Sequence, residues 1–150
     1  MQYTLLPSVK IDKKYEGFFI KYVEYQKENN SNKRNNEKLA DALSLLGNYY
    51  LYNGSQFDAE KYFLEAISYY DSLNVISTSE LKQKISNTHN QLMLIKQNLH
   101  EFDKAIYHQE KAYEYMKAAF KENSLYAEIY FTIAFNLFVL FLFPQPGIQA

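Results

Sequence analysis

The sequence predicts an all-α fold of stacked helical hairpins, about six helices in all. Three observations lead there. Glycine and proline are scarce, at 4 and 3 of 150 residues, which disfavours a strand-and-turn protein. Between Leu43 and Tyr70 (LSLLGNYYLYNGSQFDAEKYFLEAISYY) apolar and small residues recur at helical steps on both sides of an Asn53-Gly54-Ser55 turn. That hairpin then comes back: Ala59 returns as Ala105 and Ala66 as Ala112, each 46 residues on (105 minus 59, 112 minus 66), with Phe57 set against Phe102. A hairpin repeated at constant offset marks a helical array.

In chain order, Met1 to Lys14 reads as a loose lead-in, since Pro7 blocks an early helix. Phe18, Phe19, Tyr22, Val23 and Tyr25 recur at roughly helical spacing and predict a first helix from Tyr15 to Lys27. The polar run Asn29 to Asn36 (NNSNKRNN) reads as an exposed loop, so residues 1–36 precede the repeats. Glu37 to Asn53 then forms a helix with Leu43, Leu46, Gly47 and Tyr50 on one face. Its partner, Gln56 to Leu73, carries Phe57, Ala59, Phe63, Ala66 and Tyr70, and Asp58 three residues after Ser55 suits a cap. Ala59 and Ala66 let two backbones approach, and Phe63 fills the notch between them.

The order bulky apolar, Leu46-Gly47, Tyr50, then Ala59, Phe63 and Ala66 resembles a tetratricopeptide repeat, in the long form similar to kinesin light chain repeats. Asp71 stands where a proline often closes such a unit. A second unit is expected over residues 77–123, opened by a capping box at Ser77-Thr78-Ser79-Glu80. Its first helix buries Ile85, Thr88, Leu92, Ile95 and Leu99. After a turn at His100-Glu101 its second shows Phe102, Ala105, Ile106, Gln109, Ala112, Tyr113, Met116 and Phe120 on one face. This copy is degenerate: His89, Met93 and Lys96 replace the expected apolar, small and tyrosine residues, and Gln109 replaces the aromatic. The 46-residue period also suits HEAT and armadillo units of about 40–47 residues, so a HEAT-like array stays open. A half repeat, residues 124–143, shows Tyr130, Ile133, Ala134 and Leu137 before Pro144 and Pro146 end it.

Composition excludes several functions. Net charge is -1 and Arg34 is the only arginine, so nucleic-acid binding is not expected. No cysteine is present for a disulfide or thiolate site, and no charged leader precedes Leu5-Leu6; the expected location is the cytoplasm. His89, His100 and His108 lack metal-ligand spacing and read as surface or half-buried residues, with His108 on a polar face. Glu60, Glu65, Glu110 and Glu114 interleave with Lys61, Lys111 and Lys117 as a solvated face. No phosphate loop or nucleophile elbow occurs, so neither catalysis, a cofactor nor a metal is expected.

The resemblance implies a concave groove lined by the first helix of each hairpin. Ser44, Asn48, Leu51 and Tyr52 would face it from the first unit, and Asn87, Asn90, Leu94, Gln97 and Asn98 from the second. Asparagine amides both donate and accept, so they could grip the backbone of an extended peptide; the other reading is a solvated polar face. A second surface is residues 129–143, apolar apart from Thr132 and Asn136, where Phe131, Phe135, Phe138 and Phe141 would be adhesive if exposed. About 20 apolar residues are needed to span a bilayer, so this stretch suits packing on the array or self-association better than membrane attachment. The expected function is a non-catalytic protein- or peptide-binding scaffold or adaptor. A membrane-attached structural subunit held through residues 129–143 is the alternative.

Overall fold

The structure is a computed structural model that describes residues 11–73, 78–120 and 132. Among them the chain is all helical. A 3-10 turn (Lys13–Tyr15) leads into α1 (Glu16–Glu28), followed by α2 (Lys33–Tyr52), α3 (Gln56–Asp71), α4 (Ser79–Asn98) and α5 (Phe102–Ala119). The helices form stacked pairs: α2 packs on α3, α4 packs on α5, α3 joins the two hairpins through α4, and α1 lies on α2. Apart from Thr132, the expected half repeat, 124–143, and with it Phe131, Phe135, Phe138 and Phe141, lies outside the described residues.

Helix starts follow side-chain caps more closely than polarity. The run NNSNKRNN is not all loop, because Asn32 accepts a hydrogen bond from the Asn35 amide at 3.2 Å and α2 begins at Lys33. Thr78 caps α4 by accepting from the Leu81 amide at 3.1 Å. Glu80 then sits at the second helical position, one short of the place that would close a capping box. At α3 the expected Asp58 cap is absent; the Ser55 hydroxyl donates to the Asp58 carboxylate instead.

Both hairpin turns have one geometry, 46 residues apart. Ser55 N donates to Tyr50 O at 2.9 Å and Gly54 N to Leu51 O at 3.1 Å; Glu101 N donates to Lys96 O at 2.9 Å and His100 N to Gln97 O at 3.0 Å. These are paired Schellman closures, which need a left-handed residue after the helix end. Gly54 supplies it at φ 84° and His100 at φ 58°. Registered this way, Phe102 corresponds to Gln56 and Phe57 to Asp103, so Phe57 and Phe102 are not equivalent.

The first hairpin closes over one contact. Ala59, Phe63, Ala66 and Tyr70 are buried, and Leu39, Leu43 and Leu46 of α2 share one core cluster with Ala66 and Tyr70. The Phe63 ring lies so close to Gly47 that an added β-carbon would sit 2.8 Å from it. Phe63 and Ala59 also meet Leu92 and Ile95 of α4, so the same ring joins the two hairpins. Phe57, in contrast, is 81% exposed, and Leu99, Phe102 and Ile106 are exposed as well. On α1 the core face is Phe19, Ile20 and Val23, while Phe18, Tyr22 and Tyr25 face outward.

The second hairpin fills the same positions with polar groups. His89 stands at the Leu43 position and meets His108 with a 3.0 Å Nδ1–Nδ1 contact, both rings buried, which corrects the placement of His108 on a polar face. Lys96, at the Tyr50 position, is 5% exposed and binds the Glu60 carboxylate and Glu101 Oε1, the latter at 3.2 Å. Burial alone would lower the Lys96 pKa; its hydrogen bonds to Glu60 and Glu101 outweigh that and raise it. Ser86, at the Ala40 position, donates to Ala112 O at 2.7 Å. Gln109, at the Phe63 position, is 3% exposed and neither amide atom finds a hydrogen-bond partner. An unmet buried amide costs roughly 1–3 kcal/mol, a penalty the Phe63 ring at the equivalent position does not carry.

Three substitutions test this account. Gly47→Ala forces a buried ring aside and should destabilise by about 1–3 kcal/mol in urea denaturation. Gly17→Ala, with nothing within 4 Å of the new methyl, should be neutral or gain up to about 1 kcal/mol. His100→Gly relieves the left-handed strain and should raise stability by about 0.5–1 kcal/mol, read the same way.

Candidate peptide-binding recess

Side chains of α2, α3 and α4 together line a recess of about 160 Å³. Ser44 and Asn48 come from α2, one helical turn apart. Asn87, Thr88 and Gln91 come from α4, and Phe63 and Tyr70 of α3 lie between. Lys84 closes one end. Its ammonium is 2.9 Å from both Glu37 Oε1 and Asp41 Oδ2 and 3.8 Å from Glu80 Oε1. Burial pulls the Lys84 pKa down, but the bonds to Asp41 and Glu37 more than offset this and hold it up. The Tyr70 hydroxyl donates to Asp41 Oδ1 at 2.6 Å; burial first, and then this bond, keep the phenol protonated far above its ordinary range.

The lining therefore offers hydroxyls and neutral amides, with its cation already neutralised by carboxylates. Thr88 spends its hydroxyl on Lys84 O at 2.9 Å. Asn48 and Asn87 make no side-chain hydrogen bond among the described residues, which leaves a donor and an acceptor on each. A volume near 160 Å³ suits one side chain or a length of backbone, being well below the roughly 300–1,000 Å³ of small-molecule pockets. Among the described residues no group of three or more His, Asp or Glu side chains could hold a metal ion. No described helix is long and apolar enough to cross a membrane.

Of the nine groove residues expected from sequence, Ser44, Asn48 and Asn87 come together here. Leu51 is half-buried and packs on the Phe63 cluster, and Tyr52 is exposed at the end of α2. Asn90, Leu94, Gln97 and Asn98 do not line the recess. They hold on α4 the places that Ser44, Asn48, Leu51 and Tyr52 hold on α2, so the 46-residue register carries them one unit further along. Lys84, Thr88 and Gln91 were not anticipated. The signal was present, since Asn87 and Gln91 are four residues apart and share a face.

A second groove, about 520 Å³, opens between α3 and α5, lined by Glu60, Leu64, Lys96, Asp103, Lys104, Tyr107 and His108. Its Lys96 and Lys104 are both bound to carboxylates, through Glu60 and Glu101. Compared with known proteins, no family model, curated protein or solved structure matches the chain.

If the recess asparagines serve a ligand and not the fold, Asn48→Ala and Asn87→Ala should leave stability within about 0.5 kcal/mol. Lys84→Met, which strands Glu37 and Asp41 beside each other, should cost about 1–2 kcal/mol. Urea midpoints of the three variants provide the comparison.

Proposed function

We propose that this chain is a non-catalytic scaffold of tetratricopeptide-like hairpins, working in the cytoplasm, that binds an extended peptide or protein segment between α2 and α4. The observation that carries this reading is the pair of unspent amides, Asn48 and Asn87, on two different helices of one shallow recess. A peptide backbone presents a donor and an acceptor at every residue, and a fixed asparagine can meet both without regard to side chain. The apolar floor of Phe63 and Tyr70 then gives a bound side chain a place to lose water. The sequence similarity to tetratricopeptide repeats, and the stacked pairing of the helices, support the same reading.

A randomised extended-peptide array probed with the wild-type chain and with the Asn48→Ala/Asn87→Ala double variant tests it. Peptides held by the wild type and weakened about tenfold or more by the double variant, near 1.4 kcal/mol, are the expected result. Equal retention by both proteins, or none by either, removes the proposal.

A further inference from the structure

The two buried histidines of the second hairpin form a contact that only certain protonation states permit. His89 comes from α4 and His108 from α5, and their Nδ1 atoms are 3.0 Å apart. That spacing is a hydrogen bond only when one Nδ1 bears a proton and the other is bare. Two neutral rings satisfy it in complementary tautomers, and one imidazolium with one neutral ring satisfies it as well. Two imidazolium rings cannot, because both Nδ1 atoms then carry hydrogen and two positive charges meet within hydrogen-bond distance.

The surroundings do not compensate for a second charge. On α5, Lys111 opposes it and Glu114 favours it, but these two are bound to each other at 2.7 Å. Tyr115 stacks on His89 with ring centroids 6.0 Å apart, and Tyr107 meets His108 edge-on at 5.2 Å. From α4, Lys96 faces His108, and from α3, Glu60 faces it while already bound to Lys96. Each positive neighbour is thus matched by its own carboxylate, and none is left for the histidines.

We propose that the His89–His108 pair is an acid-sensitive latch that holds α5 on α4 at neutral pH and lets that hairpin loosen once both rings are charged. Burial, then His108 and Lys111, push His89 down to about 4 against the opposing pull of Glu114. Burial and Lys96 lower His108 against Glu60. Both folded-state values lie below the unfolded value near 6.5, so the latch is fully engaged above about pH 6.5. As pH falls from there towards 4 the opened hairpin takes up protons that the closed one refuses, and closure weakens by up to about tenfold per pH unit for each proton. This device does not depend on what fills the recess between α2 and α4.

Amide hydrogen exchange on the intact chain, at about pH 7 and about pH 5 with intrinsic rates corrected, reads the latch directly. The expected result is a fall of about tenfold or more in protection across α4 and α5 relative to α2 and α3, and its loss in His89→Gln/His108→Gln, whose amides bond at either pH. If that double variant is unprotected at pH 7, His89→Phe takes its place and should show a smaller fall than the wild type. A parallel fall in both hairpins, or one pH course for wild type and variant, overturns the proposal. So does an imidazole nitrogen spectrum near pH 7 in which both rings carry their proton on Nε2.

Discussion

The closeness of α2 to α3 depends on a ring lying where a side chain is missing. Phe63 occupies the space above Gly47, so the backbone of α2 approaches an aromatic edge with no β-carbon between them. Ala59 and Ala66 keep α3 without bulk on either side of that ring, and Leu39, Leu43 and Leu46 of α2 are fully buried. Because Phe63 also meets Leu92 and Ile95, the contact that closes the first hairpin sets where the second one docks. The recess between α2 and α4 is a consequence, with the same ring as part of its floor.

The second hairpin shows that one backbone arrangement can be held by different chemistry. Its turn repeats the first bond for bond, and Ala105 and Ala112 repeat Ala59 and Ala66. Its interior does not. Leu43 becomes His89, Tyr50 becomes Lys96 and Ala40 becomes Ser86, and each polar group arrives with a partner from a neighbouring helix. A parallel exists in the first hairpin, where the Tyr50 hydroxyl donates to Glu16 of α1 at 2.9 Å, much as Lys96 reaches Glu60 of α3. The α1 helix thus stands to α2 as α3 stands to α4. His89, Lys96 and Ser86 are paired while the Gln109 amide is not, and the pairs tie this part of the fold to pH and to the integrity of each partner.

The helical class, the stacked pairing and the buried face of Ala59, Phe63 and Ala66 were legible because small and aromatic residues at helical steps leave few other arrangements; that the Phe63 ring lies over Gly47 was not. What was misread failed for identifiable reasons. Phe57 is aromatic and lies near the stripe, but it is two residues from Ala59 and so points elsewhere on the helix. Asn32 to Asn36 is polar enough to read as loop, yet the Asn32 side chain caps α2 and the residues after it lie inside the helix. The histidine pair could not be read at all, since spacing rules examine one helix and these rings meet from two helices, 19 residues apart. Within the candidate site, the repeat register found Ser44, Asn48 and Asn87. Asn90, Leu94, Gln97 and Asn98 are not among the residues that line this recess; they lie on α4 at the register positions of Ser44, Asn48, Leu51 and Tyr52.

The notch itself can be observed without any substitution. In a proton nuclear Overhauser spectrum of the intact chain, the Gly47 α-protons should show strong cross-peaks to the Phe63 ring. Ring current should also displace them far from the usual glycine position. Gly47 α-protons at an ordinary shift, with no cross-peak to Phe63, would contradict the close approach on which the hairpin, the stacking and the recess all rest.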